Sequence, residues 1–202
     1  MASPTVQGGN ARGKSVLMIC WGNICRSPTA EAVFQAVVNK AGQSSIYTVD
    51  SCGTGGGNPD WYMENGWSHH EGNPADERMS KVAAKRGVTL TSRSRPLTPA
   101  DLEKFDYLVA MDEKNARDII TAVDYWRGRE FFEKQTKAGI PSASVMRTKV
   151  LRITDYCQME KHKKYDEVPD PYFGGMAGFE LVLDLLEDAC AGLVEEMNAG
   201  KK

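Results

Sequence analysis

One stretch near the start of the chain constrains its fold more than any other part of the sequence. Residues 15–20 form a short apolar run of strand length, and a loop that contains Gly and Asn follows it. A helical pattern then covers residues 28–40, for which Ser27 is a natural N-cap and Pro28 suits the first turn. A strand, a tight loop and a helix in this order predict one unit of a parallel α/β sheet.

The rest of the chain repeats this alternation of strand and helix. The predicted strands cover residues 46–52, 106–111 and 149–153, and the predicted helices cover residues 74–86, 99–104, 112–123 and 179–197. We therefore expect a single α/β domain over residues 15–198, with a four-stranded parallel sheet and helices on both faces. In such a Rossmann-like arrangement the ligand crevice lies beyond the carboxyl ends of the strands.

Composition excludes several classes of protein. The 202 residues carry 25 Lys and Arg against 27 Asp and Glu, so no overall positive field recruits nucleic acid or an anionic membrane. The longest apolar runs fall far below the roughly 18 residues that a membrane span needs. The three histidines lack the spacing of a metal site, and we expect neither a metal nor another cofactor.

Cysteine usage and the two ends of the chain bear on location. Five cysteines, an odd number, favour a reducing compartment and a cytoplasmic protein. Residues 1–14 are polar and small and are expected to form a disordered leader, and residues 199–202 a flexible tail. If the leader is a trimmed transit peptide, an organelle such as a plastid is the alternative location.

Two loops match phosphate-binding patterns, and their surroundings distinguish them. Residues 8–15 match the nucleotide-binding pattern GxxxxGK[ST], but such a loop must follow a strand and open a helix, whereas here a predicted strand follows the match. Residues 20–27 form a Cys-x5-Arg-Ser loop after a predicted strand and before a predicted helix. The second loop therefore has the context that binds a phosphate at a helix N-terminus.

The residue types of the second loop suit a site that binds a phosphate dianion and reacts with it. The backbone amides at the helix start and the Arg26 guanidinium supply positive charge matched to phosphate oxygens. The same charge favours the thiolate form of Cys20, which makes this residue a candidate nucleophile. Gly22 and Asn23 tolerate the left-handed backbone angles that let successive N–H groups converge on one anion. Without Arg26 and Ser27 beside it, Cys20 would more simply be a small core residue.

From Ser15 onward, nearly the whole chain resembles the low-molecular-weight protein tyrosine phosphatases, or acid phosphatases. Residues 20–34 are similar to the family's signature loop and helix, and residues 168–174 to its Asp-Pro-Tyr-Tyr-Gly loop. The resemblance implies the type I phosphotyrosine phosphatase fold and an enzyme that hydrolyses phosphotyrosine monoesters through a cysteinyl-phosphate intermediate. It makes Cys20 the nucleophile, Arg26 the group that stabilises the phosphoryl oxygens, and Asp170 the general acid and then the general base, without a metal.

The same resemblance assigns supporting roles around the loop. Ser27 is expected to donate a hydrogen bond to the Cys20 thiolate, and Asn23 and Ser51 are expected to brace the loop. The other residues of the phosphate-binding loop are Trp21, Gly22, Ile24 and Cys25. In the family the second cysteine can form a reversible disulfide with the nucleophile, which implies redox switching between Cys20 and Cys25. The alternative is that Cys25 simply fills the underside of the loop.

Aromatic residues are predicted to form pocket walls deep enough for a phosphorylated phenol ring. The candidates are Tyr172, Phe173, Trp21 and either Trp61 or Trp67, the last two from residues 61–73. A short phosphoserine would not reach the nucleophile in such a pocket. The expected substrate is therefore a phosphotyrosine-containing protein or a small aryl phosphate.

Three features depart from the family's pattern. Ser92 takes the place of a histidine in the network that supports the loop, so this brace must be rebuilt or missing. Phe173 replaces the second tyrosine of the acid-bearing loop. Residues 53–73 and 124–149 look longer than in compact members, and the first of these segments is expected to border the active site.

Other functions on this fold stay open. An arsenate reductase needs two further cysteines, and none lies between Cys52 and Cys157. A protein-arginine phosphatase carries Thr at the position of Ile24, which argues against phosphoarginine. A catalytically silent phosphotyrosine-binding or redox module would have no use for Asp170 as an acid. We expect a monomer or a weak homodimer.

Overall fold

Strand β1, Lys14–Cys20, lies at the centre of the molecule. The computed structural model, which describes residues 13–200, pairs β1 in parallel with β2, Tyr47–Gly53, on one side and with β3, Tyr107–Ala110, on the other. Strand β4, Val150–Arg152, pairs with β3. The order β2-β1-β3-β4 confirms the predicted four-stranded parallel sheet.

Helices connect these strands and cover both faces of the sheet. Within residues 13–200 there are seven α-helices, and a short 3₁₀ turn, Ile153–Tyr156, follows β4. The helices are α1 Arg26–Lys40, α2 Glu77–Lys85, α3 Pro99–Lys104, α4 Glu113–Trp126, α5 Glu130–Glu133, α6 Ala143–Lys149 and α7 Met176–Asn198. None of these helices is long and apolar enough to cross a lipid bilayer.

The alternation of side chains along β1 divides the interior into two cores. Val16, Met18 and Cys20 face the core formed with α1, α2 and α7. Leu17 and Ile19 face the core formed with α3, α4, α5 and α6. Because both faces of the sheet are buried, residues 16–19 are inaccessible to solvent, which explains why this strand reads as an unbroken apolar run.

Helix α1 begins two residues earlier than the sequence predicts, and Ser27 is not its N-cap. Cys25 occupies the cap position without a side-chain hydrogen bond, and Arg26 and Ser27 belong to the first turn. The reason is that the Ser27 hydroxyl points back toward β1, where it donates to Cys20 Sγ at 3.1 Å. This serine supports the loop rather than capping the helix.

Helix α2 begins later than predicted, because Asp76 provides its cap. The Asp76 carboxylate accepts hydrogen bonds from the backbone N–H groups of Arg78 at 2.8 Å and Met79 at 3.4 Å. Pro74, the predicted start, instead forms an isolated antiparallel bridge with Arg93. The prediction of a helix start at residue 74 was therefore wrong by three residues.

The segment 124–149 contains helices that the sequence pattern did not predict. Helix α4 continues to Trp126, and α5 and α6 follow it. Trp126 and Phe132 are buried in the second core, where their rings lie 6.0 Å apart. The segment thus supplies core for one face of the sheet.

The expected leader and tail fall mainly on residues 1–12 and 201–202, which lie outside the described residues. Most of the nucleotide-loop match lies there as well. Its last two residues, Lys14 and Ser15, belong to β1 and do not open a helix. The described part of the match therefore lacks the context of a nucleotide-binding loop.

Candidate active site

The candidate site begins where β1 ends, at the loop that leads into α1. Asn23 in this loop has a left-handed backbone, with φ 52°, and its N–H group donates to Cys20 Sγ at 3.3 Å. Ser27 Oγ donates to the same sulfur at 3.1 Å. Cys20 is therefore held by two donors at a helix N-terminus, an environment that stabilises negative charge on sulfur.

A chain of hydrogen bonds behind the loop fixes its shape. The Asn23 side-chain amide donates to Ser27 Oγ and to Ser51 Oγ, both at 2.9 Å. Ser51 Oγ in turn donates to Glu31 Oε2 at 2.6 Å, and Ser92 Oγ donates to the same oxygen at 2.7 Å. Burial raises the pKa of the Glu31 carboxyl. Ser92 thus remains part of the supporting network and reaches the loop through Glu31, a residue that the sequence analysis did not single out.

Arg26 is oriented by acidic groups from two other segments. Its Nη1 donates to Asp112 Oδ2 at 2.6 Å and to the Val168 carbonyl oxygen at 3.1 Å, and its Nη2 donates to Asp170 Oδ2 at 3.3 Å. Asp112 also caps α4 by accepting from the Asn115 N–H at 2.6 Å, as the sequence predicts. Its contact with Arg26 was not predicted, because it depends on β1 and β3 ending at the same edge of the sheet.

Asp170 lies on the loop between the 3₁₀ turn and α7. This loop is tied to the sheet where the Val168 N–H donates to the Met111 carbonyl oxygen at 2.9 Å. Asp170 Oδ1 accepts from the Tyr172 N–H at 3.1 Å, and its side chain keeps 35% of its surface exposed. The carboxylate is therefore positioned beside Arg26 but remains open to the cavity.

A cavity of about 250 Å³ lies at this loop. Cys20, Arg26 and Asp170 all contribute to its lining, so the structure brings the three predicted catalytic residues into one pocket. Its other lining residues are Trp21, Gly22, Ile24, Cys25, Gly56, His69, His70, Tyr172 and Phe173. The pocket has the concave, largely apolar form that is typical of a small-molecule site.

Two histidines form part of the wall that the sequence analysis assigned to tryptophan. A Cβ placed on Gly22 would lie 3.0 Å from His70 Cδ2, so this imidazole rests directly against the loop that follows Cys20. The His70 and Tyr172 rings lie 6.4 Å apart. Burial and the neighbouring His69 lower the pKa of His70. The aromatic and Gly-rich composition of residues 61–73 pointed to the segment but not to these two side chains.

Neither of the two tryptophans proposed for this wall lines the pocket. Trp61 is 7% exposed and belongs to the second core, where its ring lies 6.0 Å from that of Trp126. Trp67 is 55% exposed and stacks on His69 with a ring separation of 5.4 Å. The prediction was wrong for both residues, because core partners from α4 bury one and the turn of the loop directs the other outward.

The five cysteines, all within residues 13–200, form no disulfide bond. All five thiols, those of Cys20, Cys25, Cys52, Cys157 and Cys190, are free and buried. Cys25 lines the same pocket as Cys20, and burial raises the pKa of its thiol. Within residues 13–200, no three His, Cys, Asp or Glu side chains are grouped so that they could hold a metal ion.

The arrangement combines the parts needed for transfer of a phosphoryl group. It contains a sulfur held by hydrogen-bond donors, a guanidinium aligned by Asp112, and a carboxylate within reach of the same cavity. A thiolate is a nucleophile, a guanidinium neutralises phosphoryl oxygens, and a carboxyl group exchanges protons with a leaving group or water.

Comparisons with known proteins agree with this chemistry. A family model described as low molecular weight phosphotyrosine protein phosphatase matches residues 15–130 and 131–202. A Schizosaccharomyces pombe protein of that name is 38% identical over 165 residues, which cover 81% of this chain and 84% of the relative. A crystal structure of a protein tyrosine phosphatase from Entamoeba histolytica, with Hepes in its active site, has a TM-score of 0.73 and 36% identity and covers 94% of this chain and 100% of that one. The arginine phosphatase YwlE has a TM-score of 0.67 over 91% of this chain and 95% of its own but only 20% identity, so it shares the fold alone. The chain belongs to the low molecular weight phosphotyrosine protein phosphatase family.

Proposed function

We propose that this protein is a metal-independent protein tyrosine phosphatase that acts through a cysteinyl-phosphate intermediate. The observation that carries the proposal is the convergence of Cys20, Arg26 and Asp170 on one cavity. The hydrogen bonds from Asn23 and Ser27 to Cys20 Sγ support a thiolate at the base of this cavity.

In the first step, the Cys20 thiolate attacks phosphorus in line with the leaving group. An S–P bond forms, the bond between phosphorus and the tyrosyl oxygen breaks, and the Asp170 carboxyl group gives its proton to the departing phenolate. Arg26 and the loop N–H groups stabilise the charge on the three equatorial oxygens. Asp112 supports this role, because its hydrogen bond to Nη1 orients the guanidinium, whose Nη2 lies 3.3 Å from Asp170 Oδ2 in the lining of the cavity.

In the second step, Asp170 acts as a base. Its carboxylate takes a proton from water, the water oxygen attacks phosphorus, and the S–P bond breaks. Inorganic phosphate leaves and the Cys20 thiolate is regenerated, so the cycle consumes only water. The position of Asp170 in the cavity lining and its partial exposure support both roles, since its carboxyl group reaches the cavity and solvent together.

The shape of the cavity supports an aryl phosphate as substrate. Trp21, Tyr172 and Phe173 contribute aromatic walls, with His69 and His70 closing another side. A phenol ring gains stacking and apolar contacts there, whereas a phosphoserine side chain has no ring to bury. We therefore propose phosphotyrosine-containing proteins as the substrates, and the odd number of cysteines supports a cytoplasmic location.

Phosphate release from matched peptides tests the proposal. Phosphotyrosine, phosphoserine and phosphoarginine peptides of otherwise identical sequence are compared in the presence of a chelator. We expect release from the phosphotyrosine peptide alone, loss of turnover in Cys20→Ser, and a large loss in Asp170→Asn. Release only from the phosphoarginine peptide, or no release from any peptide by the reduced protein, would refute the proposed activity.

The Asp170 assignment has a sharper test in the leaving group. A general acid matters most when the departing oxygen is strongly basic. Asp170→Asn should therefore lower kcat/KM, which reports the first step, more for phenyl phosphate than for p-nitrophenyl phosphate, whose leaving group needs less protonation. Equal losses of kcat/KM for both substrates would show that Asp170 positions the loop rather than supplying the proton.

A further inference from the structure

A second pocket lies next to the active-site cavity and meets it at Trp21. It has a volume of about 370 Å³. Residues 54–62 form one side and α4 forms the other, with Trp21 between this pocket and the first. Its lining residues are Trp21, Thr54, Gly57, Asn58, Pro59, Trp61, Tyr62, Lys114, Asp118 and Thr121. No step of the proposed reaction uses this pocket.

The pocket is already formed, because its walls are fixed from behind. The backbone N–H groups of Thr54 and Gly56 both donate to the Trp21 carbonyl oxygen at 3.0 Å. Trp126 Nε1, from α4, donates to the Tyr62 carbonyl oxygen at 2.6 Å and so ties the two sides of the pocket together. Trp61 anchors the same segment in the second core. Little free energy is therefore needed to order these walls when a ligand binds.

The charges at this pocket are paired with each other. Lys114 Nζ lies 2.6 Å from Asp118 Oδ2, and the same carboxylate oxygen accepts from Thr54 Oγ1 at 3.1 Å. A charged guest would have to compete with this pair. Among the other lining residues, the rings of Trp21, Pro59 and Tyr62 offer apolar surface for an apolar side chain.

The position of the pocket matches the reach of a peptide bound in the active site. Gly57, with φ 115°, brings the loop to within van der Waals distance of the Trp21 ring, since a Cβ there would lie 3.6 Å from Trp21 Cζ2. Trp21 contributes to the lining of both cavities. An extended peptide advances about 3.3–3.6 Å per residue, so residues two or three positions from the phosphotyrosine can pass over the ring.

We propose that this second pocket is a specificity subsite for an apolar side chain of the substrate protein, within three residues of the phosphotyrosine. The proposal rests on the proposed function, because it places the phosphotyrosine in the first cavity. Trp21 then serves both subsites, with the phenol ring on one side and the apolar residue on the other. Selectivity among phosphotyrosine proteins follows from a part of the molecule that does not touch the phosphate.

Peptide kinetics with one blocking variant test the subsite. A phosphotyrosine peptide of Gly and Ser is compared with peptides carrying Leu, Phe, Glu or Lys at each of the three positions on either side. The readout is the ratio of kcat/KM for each peptide to that for the unsubstituted peptide, with p-nitrophenyl phosphate turnover measured beside it. Thr121→Trp places an indole in the pocket from α4. Asp124→Trp, at an exposed position of the same helix that lines neither pocket, is the matched control.

We expect Leu or Phe at one position to raise kcat/KM about tenfold, because a partly buried apolar side chain supplies binding energy of that order. Thr121→Trp should bring this ratio close to one, and Asp124→Trp should leave it intact. If the protein turns over p-nitrophenyl phosphate but kcat/KM does not rise for any peptide with Leu or Phe, the subsite is overturned and the proposed function stands. A preference for Glu that disappears in Lys114→Ala would mean an anionic guest and would also overturn it. If the wild-type protein does not turn over p-nitrophenyl phosphate at all, both the proposed function and the subsite are refuted.

Discussion

Replacement of Asn23 by Ala and by Gly should separate the loop's backbone conformation from the hydrogen bonds that hold it. The Asn23 side chain donates to Ser27 and Ser51, and its Oδ1 accepts from the Arg95 N–H at 2.9 Å, while the backbone has φ 52°. Each lost hydrogen bond costs about 1 kcal/mol, and a left-handed Ala costs about 1 kcal/mol more. The free energy of unfolding of Asn23→Ala should therefore fall by about 4 kcal/mol.

Asn23→Gly is the matched variant, because glycine adopts the left-handed conformation without strain. It loses the same three side-chain hydrogen bonds and should be destabilised by about 3 kcal/mol. Urea unfolding followed by the fluorescence of the four tryptophans gives both values by linear extrapolation. The difference between the two variants measures the net cost of a Cβ on a left-handed residue at this position.

Both variants should also lose activity, since the N–H group of residue 23 is one of the donors to Cys20 Sγ. Misplacing one such donor in a site for a developing anion costs about 100-fold in turnover. We expect that loss in kcat/KM for p-nitrophenyl phosphate. Unfolding free energies within about 1 kcal/mol of the wild type, together with full activity, would refute the argument that Asn23 organises the loop.

Three further predictions concern residues around the site. Burial raises the pKa of Glu31, so the folded protein binds its proton more tightly than the unfolded chain, and this carboxyl contributes less stability as pH rises through the raised pKa. The free energy of unfolding of Glu31→Gln, minus that of the wild type, should therefore be larger near pH 7 than near pH ~4. Urea unfolding of both proteins at the two pH values measures this difference. Asp112→Asn should lower kcat/KM for aryl phosphates about 10–100-fold by loosening Arg26, and unchanged steady-state kinetics would contradict this role. The free energy of unfolding should fall by about 3–5 kcal/mol in Trp61→Ala and by less than about 0.5 kcal/mol in Trp67→Ala, because Trp61 is buried and Trp67 is exposed. Thermal or urea unfolding measures both values.

The strands and the main helices could be predicted because their signals are local. Residues 16–19 are buried on both faces of the sheet and therefore have no polar interruption in sequence. Helix α4 has its cap, Asp112, next to its first residue, and α7 has a long amphipathic pattern. The Cys20 loop could be recognised for the same reason, since its chemistry is contained in consecutive residues.

The composition of the pocket wall could not be predicted, because it depends on contacts between distant segments. Trp61 and Trp67 lie in the same Gly-rich stretch, and the sequence does not show that Trp126 from α4 buries the first of them. His69 and His70 reach the pocket only because residues 54–57 and the Cys20 loop are hydrogen-bonded together. Glu31 likewise looks like an ordinary helix residue until Ser51 and Ser92 are brought to it by β2 and the chain after α2.

The two reactive groups lie in parts of the molecule that open to solvent on different timescales. Cys20 ends a strand that is hydrogen-bonded on both sides, so the amide hydrogens of β1 should exchange with solvent only when the whole domain unfolds. Asp170 lies on a loop whose next two aromatic residues, Tyr172 and Phe173, are 36% and 87% exposed. The amides of that loop should exchange through local openings, far faster than those of β1. In the proposed mechanism, Cys20 is thus held for the lifetime of the folded state, whereas we expect Asp170 to move away from and return to the cavity through local openings, a motion that would give phosphate a path out.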